Sequence, residues 1–522
     1  MNKFEEIRAS NPDVFARWHE QPGEIYVDLP ASDVHLAAAY AMARGCRAAS
    51  VFAEDRRRAE GCFIVYYAFD HPEDTRYLML RTPVAEHEGA FPSLAAGIPA
   101  VNWQEREVQD WFGLVADGHP NPRRVALHDN WPEVHPMRKD FAIDTVLGPF
   151  EGERHVYRPT LGEGVFQIPV GPIHAGIIEP GHFSFAVAGE PILYLQLRMF
   201  YVHKGTEKRF EQLPANHAVY LAESISGDSS FSHGTAFCQA VERASDVEIP
   251  ESARQMRTIL LELERIYNHV ADIGAIATDV GFVIANAHAS RLREMVLALN
   301  ENLTGSRLLR GVICPGGMRR DWQPDEIRNC VAALKVFERE FEELMGIIET
   351  SDSTRDRLER TGTLRPEKAL DLGIVGVAGR ASGVDRDVRR DHPYAAYASV
   401  PVKVPVYQEG DVLRRMQVRV DEVRESLRVI GVVASNMRAE HARVAMPPLP
   451  PGRCALGAVE GWRGEILHWI RTGEGNRLDR CKIKDPSLNN WPALVEAVEG
   501  NIVPDFPVIN KSFNLSYSGT DR

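Results

Sequence analysis

The chain has 522 residues, of which 44% are hydrophobic and 25% charged, and a formal charge of −13. At roughly 150 residues per domain, that length predicts two to four domains with ample buried core. The acidic balance argues against general nucleic-acid binding and leaves only local basic runs such as Arg386 to Arg390.

The first 155 residues read as an α+β unit. An apolar helical stretch over 34–40 precedes strands over 62–67 and 77–80. Residues 101–113 place Val108, Trp111 and Phe112 on one helical face, with Gly113 as a stop signal. Segments 118–124 and 131–140 are dense in Pro and Gly, which predicts an ordered but irregular loop. Their Arg123, Arg124, Arg138 and Lys139 form either a solvated basic face or a partner contact.

Residues 150–162 are polar and read as a linker. Alternating apolar positions on both sides of 188–191 predict a hairpin. Apolar residues then recur every three or four positions over 252–276, 292–309, 331–348 and 412–433, the signature of packed amphipathic helices. The expected fold class is α+β: a small α+β domain over 1–155, then a mainly helical-bundle domain with peripheral β-hairpins over 156–522.

No apolar h-region follows the first six residues, and no run reaches the ~18 apolar residues that a span needs. The expected place is the cytoplasm. Cys46, Cys62, Cys238, Cys314, Cys330, Cys454 and Cys481 contain no C-x-x-C pair, so they read as reduced thiols rather than cluster ligands. A G-x-G-x-x-G fingerprint after a strand is missing too, so NAD is expected on another chain, if the assembly uses it.

Two far-apart stretches carry the chemistry. Glu223-Ser224-Ile225-Ser226-Gly227-Asp228-Ser229-Ser230 and Asp485-Pro486-Ser487-Leu488-Asn489-Asn490 resemble the metal-binding boxes of [NiFe]-hydrogenase large subunits, E-R-x-C-G-x-C-S and D-P-C-x-x-C, with every cysteine replaced. Ser226, Ser229, Ser487 and Asn490 stand at the four thiolate positions. A serine hydroxyl keeps its proton near neutral pH and an amide is a weak neutral donor, so no nickel–iron centre is expected.

The first unit, through Asn102-Trp103-Gln104-Glu105-Arg106-Glu107 and His135-Pro136-Met137-Arg138-Lys139-Asp140, resembles the 30-kDa-type subunit of respiratory complex I. The rest, including residues 378–394 and 506–517, resembles the 49-kDa-type subunit and the large subunit of membrane-bound, energy-converting hydrogenases such as formate hydrogenlyase. Both on one polypeptide match the fused (C/D) form.

The resemblance implies a catalytic-frame subunit of a membrane-associated oxidoreductase, held peripherally on the inner face of the plasma membrane. Its implied partners are a B-subunit-like [4Fe-4S] small subunit, a ferredoxin-like iron–sulfur subunit, and H-subunit-like and antiporter-like membrane subunits. Glu179 and His182 fall on an E-x-H element whose glutamate passes protons; a glutamate capping a helix or paired with arginine is the alternative. His174, in Gly-Pro-x-His, falls where a quinone headgroup binds, or is structural, although Ile178 replaces the family's second histidine. Asp228 joins His174 in that candidate quinone pocket, or binds a hard cation such as magnesium. Arg380 stands for the guanidinium projected over the active site, in a charge network with Asp385, Asp387 and Arg389. An active hydrogenase and a non-catalytic scaffold are the competing readings.

Overall fold

The computed structural model describes residues 2–148, 150, 152, 155–159, 162–175, 178–438 and 440–522. Part of the predicted linker, and Gly176 and Ile177 of the His174 segment, lie outside the described residues.

The first unit is a five-stranded sheet of β1 (Trp18–Gln21), β2 (Glu24–Asp28), β3 (Arg47–Asp55), β4 (Cys62–His71) and β5 (Asp74–Ala85), in the order β1-β2-β5-β4-β3. Only β2 and β5 run parallel within it, because α1 (Val34–Met42) carries the chain across from β2 before β3 and β4 fold back. Nearly every residue of β3 and β4 is buried, so both faces are covered. One cover is α2 (Asn102–Phe112), which ends at Gly113 with φ 69°, the left-handed cap expected of that glycine. On the other, Trp469 packs against Phe52 and Tyr66 with ring centroids 5.0 and 4.9 Å apart.

The basic residues of the loop after α2 are internal staples. Arg138 Nε donates to the Phe112 carbonyl (2.7 Å), Arg124 Nη1 to that of Trp131 (2.7 Å), and Arg123 Nη1 to that of Val156 (3.2 Å). Lys139 pairs with Glu211 (3.0 Å) and Asp479 (3.3 Å).

Beyond the linker, β6 (Val165–Val170), β7 (His182–Ala188) and β8 (Ile192–Arg198) make an antiparallel sheet, with the expected hairpin between β7 and β8. The helical body follows: α3 (Ser230–Ala244), α4 (Glu251–Asp279), α5 (Val283–Thr304), α6 (Pro324–Glu349) and α7 (Val412–Ser435). Four of these carry the predicted three-and-four periodicity, and α4 is buried almost all round, so it forms the axis of the bundle. Asp411 caps α7, its Oδ1 accepting from Arg414 N and its Oδ2 from Arg360 N, both at 2.8 Å. Asp411→Ala is expected to cost about 1 kcal/mol of stability, read as a lower urea midpoint.

Besides the expected hairpin, the second part carries an interior sheet of β9 (Cys454–Gly461), β10 (Gly464–Thr472) and β11 (Leu478–Lys484). All of β10 is buried, packed between the bundle and the first unit. Its charges break the apolar pattern, and Arg463, Glu465, His468, Arg471, Arg480, Lys482 and Lys484 are each buried with a polar partner. Arg47 Nη2 reaches Glu465 at 2.9 Å, Lys482 Nζ reaches Glu107 at 3.0 Å, and Trp469 Nε1 donates to Tyr26 at 2.8 Å. The chain then enters α8 (Pro486–Val498), α9 (Phe506–Phe513) and the short α10 (Tyr517–Asp521).

Candidate functional site

The two boxes meet. The first is the turn leading into α3, and the second starts α8, where Asp485 caps the helix by accepting from Ser487 N at 2.8 Å. Between them lie the β9–β10 turn, bearing Trp462 and Arg463, and Ser516, which caps α10.

Each lost-ligand side chain is engaged. Ser226 Oγ donates to Asp228 Oδ1 at 2.8 Å and accepts from Ser516 Oγ at 2.8 Å. Ser516 Oγ in turn accepts from Gly519 N, and Ser487 Oγ accepts from Ser516 N, both at 2.9 Å. Ser229 Oγ lies 3.4 Å from Asp228 Oδ1 and from Arg463 Nη1. Asn490 faces away, clasping Val375 N and O at 3.0 Å each, so it belongs to the packing of α8.

The dominant charge is an ion pair. Arg463 donates to both oxygens of Asp228, Nη1 to Oδ1 at 2.7 Å and Nη2 to Oδ2 at 2.6 Å, while its guanidinium stacks 3.8 Å over Trp462. Burial opposes ionisation of Asp228, but Arg463 and the Ser226 hydroxyl outweigh it and hold its carboxyl below the usual range. Asp228 O also accepts from Asn268 Nδ2 (2.8 Å) and Trp462 Nε1 (3.0 Å), which fixes the turn.

The hard-cation reading of Asp228 is therefore corrected, since a guanidinium already holds both its oxygens. A nickel–iron centre does not fit this donor set either. Three hydroxyls are committed to hydrogen bonds, the amide points into backbone, and a fixed cation stands among them.

Behind the pair runs a buried polar line. Asp485 Oδ2 accepts from His233 Nε2 at 3.1 Å, and His233 Nδ1 lies 3.0 Å from His468 Nε2. With Asp485 ionised, His233 carries its proton on Nε2 and takes that of His468 on Nδ1, an assignment set by the bonds. Burial drives His468 well below the usual imidazole range, so it is neutral. His233 is thus a site residue as well as a packed one.

Arg380 requires a second correction. Fully buried, it donates to Glu422 Oε1 from Nε (2.9 Å) and Nη2 (2.6 Å) and to Glu460 Oε1 from Nη1 (2.8 Å). Asp387 lies 3.4 Å from it and also binds Arg389 at 2.7 Å, as predicted, whereas Asp385 pairs outward with Arg390 at 2.5 Å. Arg265, Arg380 and Arg389 thus face Glu262, Asp387, Glu422 and Glu460 in the bundle interior. Burial and Asp387 push Glu460 up to about 7, the response of a carboxylate among more acids than guanidiniums. The guanidinium over the first box is that of Arg463, whose signal was the Trp462-Arg463-Gly464 turn between two apolar strands.

Glu179 Oε2 accepts from Ser518 N at 3.0 Å, which places this half-buried carboxylate two residues from Ser516. His182 Nδ1 bonds the Tyr157 hydroxyl at 3.0 Å, and His174 Nε2 the Gly181 carbonyl at 2.8 Å. Glu223, ahead of the first box, accepts from Gly311 N on both oxygens, and burial pushes it up to about 7. A carboxyl whose folded pKa is raised binds more protons folded than unfolded, so its contribution to stability is present at low pH and is lost as pH rises from about 4.5 to about 7. Glu223→Gln should remove that portion of the decline in urea titrations between pH 5 and 8.

Among the described residues, no helix is long and apolar enough to cross a membrane. The description "Respiratory-chain NADH dehydrogenase, 49 Kd subunit" matches residues 279–453 and 442–522, and "Respiratory-chain NADH dehydrogenase, 30 Kd subunit" matches 27–146. Formate hydrogenlyase subunit 5 of Escherichia coli is similar at 35% identity, covering 90% of this chain and 84% of its own. Hydrogenase-4 component G of the same organism is 34% identical, over 90% of this chain and 83% of its own. The fused C/D protein of NADH-quinone oxidoreductase from Phocaeicola vulgatus is 30% identical, over 84% of this chain and 88% of its own. A chain in the structure of the membrane-bound sulfane sulfur reductase, an archaeal respiratory membrane complex, superposes with a TM-score of 0.64 at 26% identity, covering 70% of this chain and all of that one. The chain accordingly belongs to the family of oxidoreductase subunits in which 30-kDa- and 49-kDa-type parts are fused, shared by NADH-quinone oxidoreductase C/D proteins and the formate hydrogenlyase and hydrogenase-4 relatives.

Proposed function

We propose that this chain is the catalytic-frame subunit of a membrane-associated oxidoreductase that works without nickel–iron chemistry. It couples electron transfer from an iron–sulfur partner to proton movement or quinone reduction. The observation that carries this reading is the Asp228–Arg463 pair, braced by Ser226, Ser229 and Ser516, in the place framed by the two boxes.

The paired Asp228 stays ionised and Arg463 fixed, so the mobile proton belongs to neighbours. Glu179 exchanges protons at the margin, while His233 and His468 hold theirs between Asp485 and the interior. In the quinone branch, the charge of Arg463 stabilises negative charge developing on a carrier oxygen, while His174, its Nε2–H given to the Gly181 carbonyl, lines the pocket rather than donating. Electrons arrive from a [4Fe-4S] small subunit, fed by a ferredoxin-like subunit, with membrane H-like and antiporter-like subunits as the coupling partners. The likeness to a chain of a membrane-bound respiratory complex supports such an assembly, peripheral on the inner face.

Metal analysis of the purified complex tests the chemistry: nickel is expected far below one per chain, and stoichiometric nickel would restore the hydrogenase reading. Glu179→Gln tests the relay, with slower turnover expected in an intact complex. Unchanged turnover would favour a scaffold.

A further inference from the structure

Arg463 is held from two sides. Its Nη1 and Nη2 fork grips Asp228, and its Nε donates to the main-chain carbonyl of Asn514 at 2.5 Å. Asn514 follows α9 with φ 43° and ψ 56°, in the left-handed region that asparagine enters more readily than most residues with a side chain. Its N–H closes the helix on the Asn510 carbonyl, and its own carbonyl meets the β9–β10 turn. The side chain makes a separate attachment. Asn514 Nδ2 donates to Asp272 Oδ1 at 2.6 Å, and Asp272 Oδ2 accepts from Arg419 Nε at 2.9 Å. Asp272 belongs to α4 and Arg419 to α7, and both are buried. A continuous polar line thus leads from the bundle interior through Asn514 to the guanidinium beside the first box.

We propose that Asn514 is a positioning residue, which fixes the direction of the Arg463 guanidinium by tying it to the buried Asp272–Arg419 pair. The inference rests on the role given to Arg463 above. A fixed cation stabilises developing charge only as far as its N–H groups already aim at the reacting atom. Asp228 supports the two terminal nitrogens from one turn, and the Nε bond on the neighbouring edge keeps the guanidinium plane from swinging about that support. Asparagine meets both demands at this position: it accepts the left-handed backbone that presents the carbonyl, and it carries the amide that reaches Asp272.

Steady-state turnover of the purified complex carrying Asn514→Gly or Asn514→Val, each alone and combined with Arg463→Ala, tests the assignment. Asn514→Val, whose β-branched side chain rejects the left-handed backbone, should lower kcat by about 10-fold while KM for the electron donor is unchanged. Asn514→Gly keeps that backbone but frees Asp272, so a loss of about 3-fold is expected. Neither change should slow the Arg463→Ala complex further, because the group being aimed is gone. A merely structural role would slow both backgrounds alike. Full turnover in Asn514→Gly, or equal losses with and without Arg463, would overturn the proposal and leave the site reading standing. Full turnover in Arg463→Ala would remove the site reading and this inference together. If Asn514→Val fails to assemble, Asn514→Gly decides the matter in both backgrounds.

Discussion

Arg380→Leu is expected to destabilise the protein by about 3–5 kcal/mol, or to prevent its folding, because it strands Glu422, Glu460 and Asp387 in the bundle interior without their shared cation. Arg380→Lys keeps the charge but cannot reproduce the fork that grips Glu422 through two nitrogens, so it should recover only part of the loss. Urea unfolding followed by circular dichroism on the isolated chain reads both. If Arg380→Leu leaves the midpoint unchanged, the ion network is not what holds α4, α7 and β9 together.

Arg463 should behave in the opposite way, with a larger effect on turnover than on folding. Arg463→Ala removes a pre-organised, charge-assisted donor from the site and is expected to lower turnover by roughly 100-fold or more. The freed Asp228 carboxyl then titrates higher, since the cation that holds it down is gone. The signature is an acid limb of the pH–rate profile that moves upward. Asp228→Asn with Arg463→Ala should cost less than the two single losses together, because both singles break the same bond. Additive effects would show that the two residues act separately.

Much of this molecule was legible in its sequence, for definite reasons. The helices over 251–279, 324–349 and 412–435 announce themselves because one face of each repeats at helical spacing. The two boxes were readable as a pair since their residue types and order survive without the thiols. The β9–β11 sheet was not, because its inward residues are charged and pattern rules count charge as surface. Arg380 was expected over the boxes and Arg463 was not singled out, for a related reason: both are buried arginines beside carboxylates, and only tertiary placement shows which one faces the boxes. Ser516 carried no local signal at all, since a capping serine near a chain's last helix looks like any other.

The one-turn helix α10 has a mechanical consequence. Its capping serine grips both boxes while its Ser518 amide holds Glu179, so a rigid rod only a few ångströms long joins the outer carboxylate to the inner hydroxyls. The outer carboxylate and the hydroxyls of both boxes are thereby referenced to the same short helix and its cap, so a displacement of this helix would shift all three anchors together.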